Sequence, residues 1–260
     1  MKAPEKTSVI FHADQEHSGI RLVIFITLFV GLFAGFRLLT VVLDALATPS
    51  WADYVTFLSC LGSLPLALLM VWGLEKLLKR VWHSGLSLVL DGRGVRVDDR
   101  RKGAMPRPVD EQDLLWSAPI SQVRWYFQLK GYPRGGRERR VSDKWLCLAA
   151  ELQQEDNRLS VFTFVPPQKA VAWTEDARAG FRRINPAELY EKSVRSRIGP
   201  PTRPTLPPHL LQTKDARYWL AERRRWEQGI ELSPDDFRAL LDQAAKSGNV
   251  GVPDPQITTN

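Results

Sequence analysis

The sequence predicts a membrane α-helical hairpin of two transmembrane helices. A cytoplasmic α+β domain follows, built as a small β-barrel or sandwich, and then a C-terminal helical hairpin. Three observations carry this. Two long apolar runs lie near the N-terminus, short alternating runs begin after His83, and helix-period patterns return beyond a proline-rich stretch. Averages conceal the pattern, since 44% hydrophobic, 25% charged and a mean hydropathy of −0.23 are values of a soluble protein. A chain of 260 residues has room for one or two such units. Two cysteines, Cys60 and Cys147, exclude a disulfide scaffold or a cysteine-rich metal site, and four scattered histidines offer no metal-ligand spacing.

Residues 22–47 hold 20 apolar residues in 26, and residues 54–72 hold 14 in 19. About 20 apolar residues cross the hydrocarbon layer, and backbone satisfaction in lipid requires a helix. The spans are therefore drawn as 20–47 and 54–75, with residues 1–19 as an N-terminal cytoplasmic tail. A cleaved signal peptide competes for the first run, because Ala45-Leu46-Ala47 mimics a cleavage site. Its apolar stretch exceeds the usual length of about 7–15 residues, and some 20 mixed-charge residues precede it. Lys and Arg flank the pair (Lys2, Lys6 and Arg21 before, Lys76, Lys79 and Arg80 after), while the loop holds Asp53 alone. The positive-inside rule then places both termini in the cytoplasm, in a multi-pass protein of the cell inner membrane.

Within the spans, Gly31, Gly35 and Gly62 let helices approach closely, either inside the hairpin or against another chain. Arg37 and Asp44 stand on one face about 10 Å apart, too far to pair directly. An intramembrane charge either anchors a helix end or meets a partner, so Arg37 joins the glycines as a candidate packing residue.

After His83 the period becomes that of strands. Runs at 86–90 and 94–97 flank the turn Asp91-Gly92-Arg93, and further runs fall at 114–117, 123–129, 144–152 and 159–165. Residues 168–184 carry an amphipathic helical pattern with Val171, Ala172, Trp173, Ala177, Phe181 and Ile184 inward. The segments LSLVLDGRGVRV and LLWSAPISQVRWYF, with the closing strand and helix, resemble the bacterial pleckstrin-homology-like (PH-like) domains found after paired transmembrane helices. The resemblance covers residues 84–183 and implies a non-enzymatic scaffold or binding platform. The basic insertion 130–144 departs from the compact version of that family.

Residues 184–212 read as a linker, with five prolines between 199 and 208 favouring an extended spacer. Residues 213–247 read as a helical hairpin. Its first helix carries Ala216, Trp219, Leu220, Arg223 and Trp226 at helical spacing, with Gly229 as its cap. Its second opens at Ser233-Pro234-Asp235-Asp236, with Phe237, Leu240, Leu241 and Ala244 on one face. Residues 248–260 read as a disordered tail.

No nucleophile elbow, phosphate loop, CxxC or HExxH occurs, so no catalytic residue, metal site or cofactor is expected. The net charge of +7 and pI of 9.6 have an address: residues 76–144 hold 16 Lys and Arg against 8 Asp and Glu. Lys130, Arg134, Arg137, Arg139 and Arg140 are the candidate contacts for anionic lipid or an acidic partner, against plain positive-inside solvation. Arg223-Arg224-Arg225 shares its helix with Glu222 and Glu227 and has no stacking-aromatic motif, so nucleic acid is not an expected partner. The expectation is a non-enzymatic membrane accessory or scaffold protein, including a small subunit of a larger complex, with its PH-like domain binding protein. Its partners are membrane lipids and a protein or second copy met through the spans and the C-terminal hairpin. The alternative is a membrane-bound regulator sensing anionic lipid through the basic loop.

Overall fold

The computed structural model describes residues 8–14, 18–46, 48, 52–101, 103, 113–130, 138, 141–176, 179–185, 189, 205–246 and 250–251. The chain divides into two compact units, residues 14–84 and residues 1–13 with 85–260.

The first unit is an antiparallel pair of helices, α1 (Ser18–Leu46) and α2 (Val55–Val81), with a 3-10 turn at Ala52–Tyr54 leading into α2. Both are long and apolar enough to cross a membrane, with mean hydropathy 2.4 and 1.9 in their most apolar stretches. Only 11% and 22% of those stretches is buried, which is unlike the core helix of a soluble protein. α2 buries Val55, Ser59, Ser63 and Ala67, a strip of small side chains one turn apart. Pro65 sits inside α2 without ending it, as membrane helices tolerate.

The second unit opens earlier than the sequence suggests. Strand β1 (Val9–His12) pairs antiparallel with β2 (Leu86–Leu90), Val9 opposite Leu90 and His12 opposite Ser87, and the Ala13 amide donates to the Leu86 carbonyl at 2.9 Å. The expected N-terminal tail therefore supplies a sheet strand. The apolar hairpin is an insertion in the connection between two paired strands. β3 (Gly94–Asp99) and β4 (Leu114–Leu115) complete a four-stranded sheet in the order β1-β2-β3-β4. Asp91 makes the β2–β3 turn by accepting from the Arg93 and Gly94 amides at 2.7 and 3.0 Å. Gly94 is required there: a Cβ would meet the Leu114 carbonyl oxygen at 2.0 Å.

A six-stranded sheet holds β5 (Ile120–Gln128), β6 (Leu146–Gln154) and β7 (Asn157–Val165) as an antiparallel centre. Short parallel strands finish it: β8 (Arg182–Arg183) and β10 (Val250–Gly251) on β5, and β9 (Ile230–Glu231) on β7. The described strands thus form two sheets and no closed barrel. Gln154 joins the sheets through its side-chain amide, accepting from the Leu115 amide and donating to the Leu115 carbonyl, both at 2.8 Å.

Helices cover what the sheets leave open. They are α3 (Pro167–Thr174), α4 (Pro208–Leu211), α5 (Ala216–Gln228) and α6 (Pro234–Lys246). One core joins Leu88, Val95, Leu148, Ala150, Val161, Phe237 and Leu240, between the two sheets and α6. The other joins Trp125, Phe127, Cys147, Ala149, Phe162 and Trp219, between the far face of the six-stranded sheet and α5. Strands β6 and β7 are consequently buried on both faces, which is why they read as near-continuous apolar runs.

The helical expectations change in detail. α3 stops at Thr174, and Arg182–Arg183 pairs with β5 instead of extending the helix to 184; Val171 is exposed and Ile184 lies in the α5-side core. The C-terminal helices dock on opposite faces of one sheet, joined across its edge by β9. Ser233 does cap α6, its hydroxyl accepting from the Asp236 amide at 3.1 Å. Gly229 follows α5 in extended conformation. Val250–Gly251, from the expected disordered tail, sits beside Ile120–Ser121.

Candidate functional site

In the hairpin, a Cβ on Gly31 would stand 3.2 Å from the Ala67 backbone, and one on Gly35 would stand 3.5 Å from Ser63. Gly31 is therefore the tight point of the crossing, while Gly35 is at ordinary contact distance. At Gly62 the neighbour is the Leu39 methyl at 2.8 Å, a side-chain end that can rotate away. Gly31 opposite Ala67 and Gly35 opposite Ser63 set one antiparallel register. Extending it puts Asp44 beside Tyr54, next to Asp53, at one end of the pair and Leu22 beside Lys76 at the other. Arg37 is exposed on the outer surface of this pair, its guanidinium 5.6 Å from the centre of the Phe33 ring. An uncompensated Arg at the centre of a spanning helix costs about 2.5–3.5 kcal/mol on insertion scales.

In the sheet domain, charged side chains gather on the α5 face. Arg225, Glu222, Glu138 and Glu151 are 1%, 0%, 4% and 1% exposed. The Arg225 guanidinium donates to both Glu222 oxygens at 2.8 Å and to Glu138 Oε1 at 3.2 Å. It also lies 4.8 Å from the Phe162 ring centre and 5.4 Å from that of Phe127. Trp125 Nε1 donates to Glu222 at 2.8 Å. Beside this group, Arg224 makes a bidentate pair with Glu151, which also accepts from the Ser160 hydroxyl at 3.2 Å. Cys147 is fully buried in the same core; burial pushes its thiol well above the usual range, opposed in part by the Arg225 charge. Glu138 belongs to the basic insertion, and with Val141, which packs on the same core, it ties the described part of the insertion to the sheet.

Other cations are committed elsewhere. Arg124 donates to Gln122 Oε1 at 2.9 Å and to the Ala179 carbonyl at 3.0 Å, and burial lowers its pKa while the Asp242 charge raises it. Arg182 pairs with Asp215 at 3.3 Å. Lys130 and Arg183 line an open groove of about 460 Å³ with Gln128, Ile184 and Asn185. Of the expected basic contacts, Lys130 is therefore placed on a groove, and Arg134, Arg137, Arg139 and Arg140 lie outside the described residues.

Sequence reasoning missed Arg183 and the buried ion cluster. On α5 the buried side is Trp219, Ala221, Glu222 and Arg225; of the set read at helical spacing (Ala216, Trp219, Leu220, Arg223 and Trp226), Trp219 is buried and Trp226 packs on the same core, while Leu220 is exposed. The signal was the Trp219-x-x-Glu222-x-x-Arg225 spacing, which keeps one face at i+3 steps and was hidden because two of its members are charged. Neither protein-family models, nor curated proteins, nor solved structures contain a match to this chain. What the geometry defines is a class: a two-helix apolar hairpin inserted into a two-sheet α+β domain.

Proposed function

We propose that the chain is a non-enzymatic accessory or scaffold protein of the cell inner membrane, whose PH-like domain binds a protein partner as part of a larger complex. One observation carries the reading: β1 and β2, which pair residue for residue, bracket the apolar hairpin. A folded sheet cannot be divided by a bilayer, so this pairing supports an even number of crossings with both flanks on one side. The Lys and Arg flanking the spans favour the cytoplasmic side. Anchor and domain then form a platform attached to the membrane by two chain segments. The PH-like reading rests on the strand order and turns of residues 84–183, with the barrel left open into two sheets.

A second reading has its own observation. Lys130 and Arg183 line a polar groove at the foot of the basic insertion, the chemistry of an anionic-lipid headgroup site. In that reading the protein is a membrane-bound regulator. Purification of the full chain in mild detergent separates the two. A stoichiometric protein partner supports the scaffold, whereas a lone chain retaining acidic phospholipid, with Lys130→Ala and Arg183→Ala reducing that retention, supports the regulator.

A further inference from the structure

We propose that Arg37 docks a transmembrane helix of a different protein, one that carries a carboxylate near the middle of the bilayer. The inference rests on the accessory-subunit reading and names the chemistry of its partner. The register set by Gly31 with Ala67 and Gly35 with Ser63 fixes the depth of every residue in the pair. Lys76 comes level with Leu22, and Asp44 with Tyr54, next to Asp53, so the apolar layer runs between residues 22 and 44 of α1. At 1.5 Å per residue that layer is about 33 Å thick, close to the hydrocarbon core of a bilayer. Arg37 lies about 10 Å inside its outer boundary and about 22 Å from its inner one.

An arginine at that depth can still reach the headgroups if its side chain points toward the nearer surface. Arg37 points the other way. Helical side chains lean toward the helix N-terminus, and its guanidinium rests over Phe33, one turn closer to the bilayer centre. It is exposed on the outer surface of the hairpin, and no carboxylate meets it among the described residues. A second copy of this chain fits badly. A copy in the same orientation presents Arg37 at the same depth, a like charge, and its Asp44 lies about 10 Å away in the direction opposite to the side chain. The occupant with complementary charge is a foreign helix with Asp or Glu at the level of Phe33 to Arg37.

The test uses the full chain in phosphatidylcholine vesicles with a synthetic leucine-rich transmembrane peptide bearing one Asp at that depth. A matched peptide carries Leu at the same position. Energy transfer between labelled chain and peptide should report association about tenfold tighter for the Asp peptide. Arg37→Leu should remove the difference and Arg37→Lys should keep most of it. Arg37→Leu makes the span more apolar, so its insertion is not at risk. Equal association of both peptides, or a difference that survives Arg37→Leu, overturns the inference. Mild-detergent purification from native membranes is the second arm. A partner lost with Arg37→Leu, and bearing an intramembrane carboxylate, supports the inference. A partner retained by Arg37→Leu, or a homodimer, overturns it and leaves the accessory reading standing or replaced by self-association. A wild-type chain that purifies alone defeats the accessory reading itself, and the peptide result still decides the chemistry of Arg37.

Discussion

The two faces of the six-stranded sheet are built on opposite plans. Toward β1–β3 and α6 the sheet presents Leu148, Ala150, Leu152 and Val161, meeting Leu88, Phe237 and Leu240. Toward α5 it presents Trp125, Phe127, Ala149 and Phe162 as well, but interleaves three carboxylates and two guanidiniums among them. The apolar face gains stability from carbon packed against carbon and tolerates volume-conserving change. The charged face gains little net energy, because desolvation offsets the attraction, but its bidentate geometry accepts one arrangement. It fixes where α5 lands and where the basic insertion returns through Glu138.

That contrast is open to attack at graded strengths. Arg225→Met leaves Glu222 and Glu138 buried without their cation and should cost about 3–5 kcal/mol in urea unfolding followed by tryptophan fluorescence. Replacing all three with apolar residues of similar volume should cost less than the single change, and a larger cost would show that the ion cluster is itself a net source of stability. On the other face, Leu240→Ala removes a fully buried side chain and should cost about 2–5 kcal/mol, with no pH dependence of its own.

Cys147 offers a pH test of the charged face. Its thiol is pushed up by burial, so the folded chain holds the proton after the unfolded chain has lost it. Stability attributable to this group is therefore intact below the ordinary thiol range, near pH ~8.5, and falls above it by about 1.4 kcal/mol per pH unit. Cys147→Ala should flatten that slope, and alkylation of Cys147 should require unfolding. The smallest effect lies outside both cores. The side-chain hydrogen bond from Arg101 holds the Asp99 carboxyl below its usual range, with burial opposing it. Its contribution is present above pH ~4 and disappears as pH falls through the lowered value; at this half-exposed site it is worth about 0–1 kcal/mol and should weaken in high salt.

The strands read at 86–90 and 94–97 were legible because alternation and the Asp91 turn are local signals, and the two long apolar helices because their length and composition are local too. Strand β1 was not, since VIFH is four residues between polar neighbours and its reason to be extended, the edge of β2, lies more than 70 residues away. β6 and β7 were recognisable as strands, yet their unbroken apolar character also meant cover on both sides, which assigns α5 and α6 to opposite faces. α3 was overextended because Ala172, Trp173 and Phe181 keep a helical period past Thr174, whereas Gly180 turns the chain at φ +66 and Phe181 returns to stack on Trp173. At the site, Lys130 could be read from charge density. Arg183 and the Glu222–Arg225–Glu138 cluster could not, because each depends on which residues a third dimension brings together.

The position of β1 also imposes an order on biosynthesis. Val9–His12 leaves the ribosome first, and its partner Leu86–Leu90 follows only after the whole hairpin has been made. At about 5–20 residues per second, that interval is some 4–15 s. If the hairpin anchors the chain as proposed, its two helices enter lipid during that interval, while the sheet is still missing its first pairing. A hairpin inserted with one crossing would strand β1 across the bilayer from β2. The domain would then lack Phe11 and Ala13 from its core, so in a membrane-anchored chain completion of this sheet would itself record that both helices were threaded correctly.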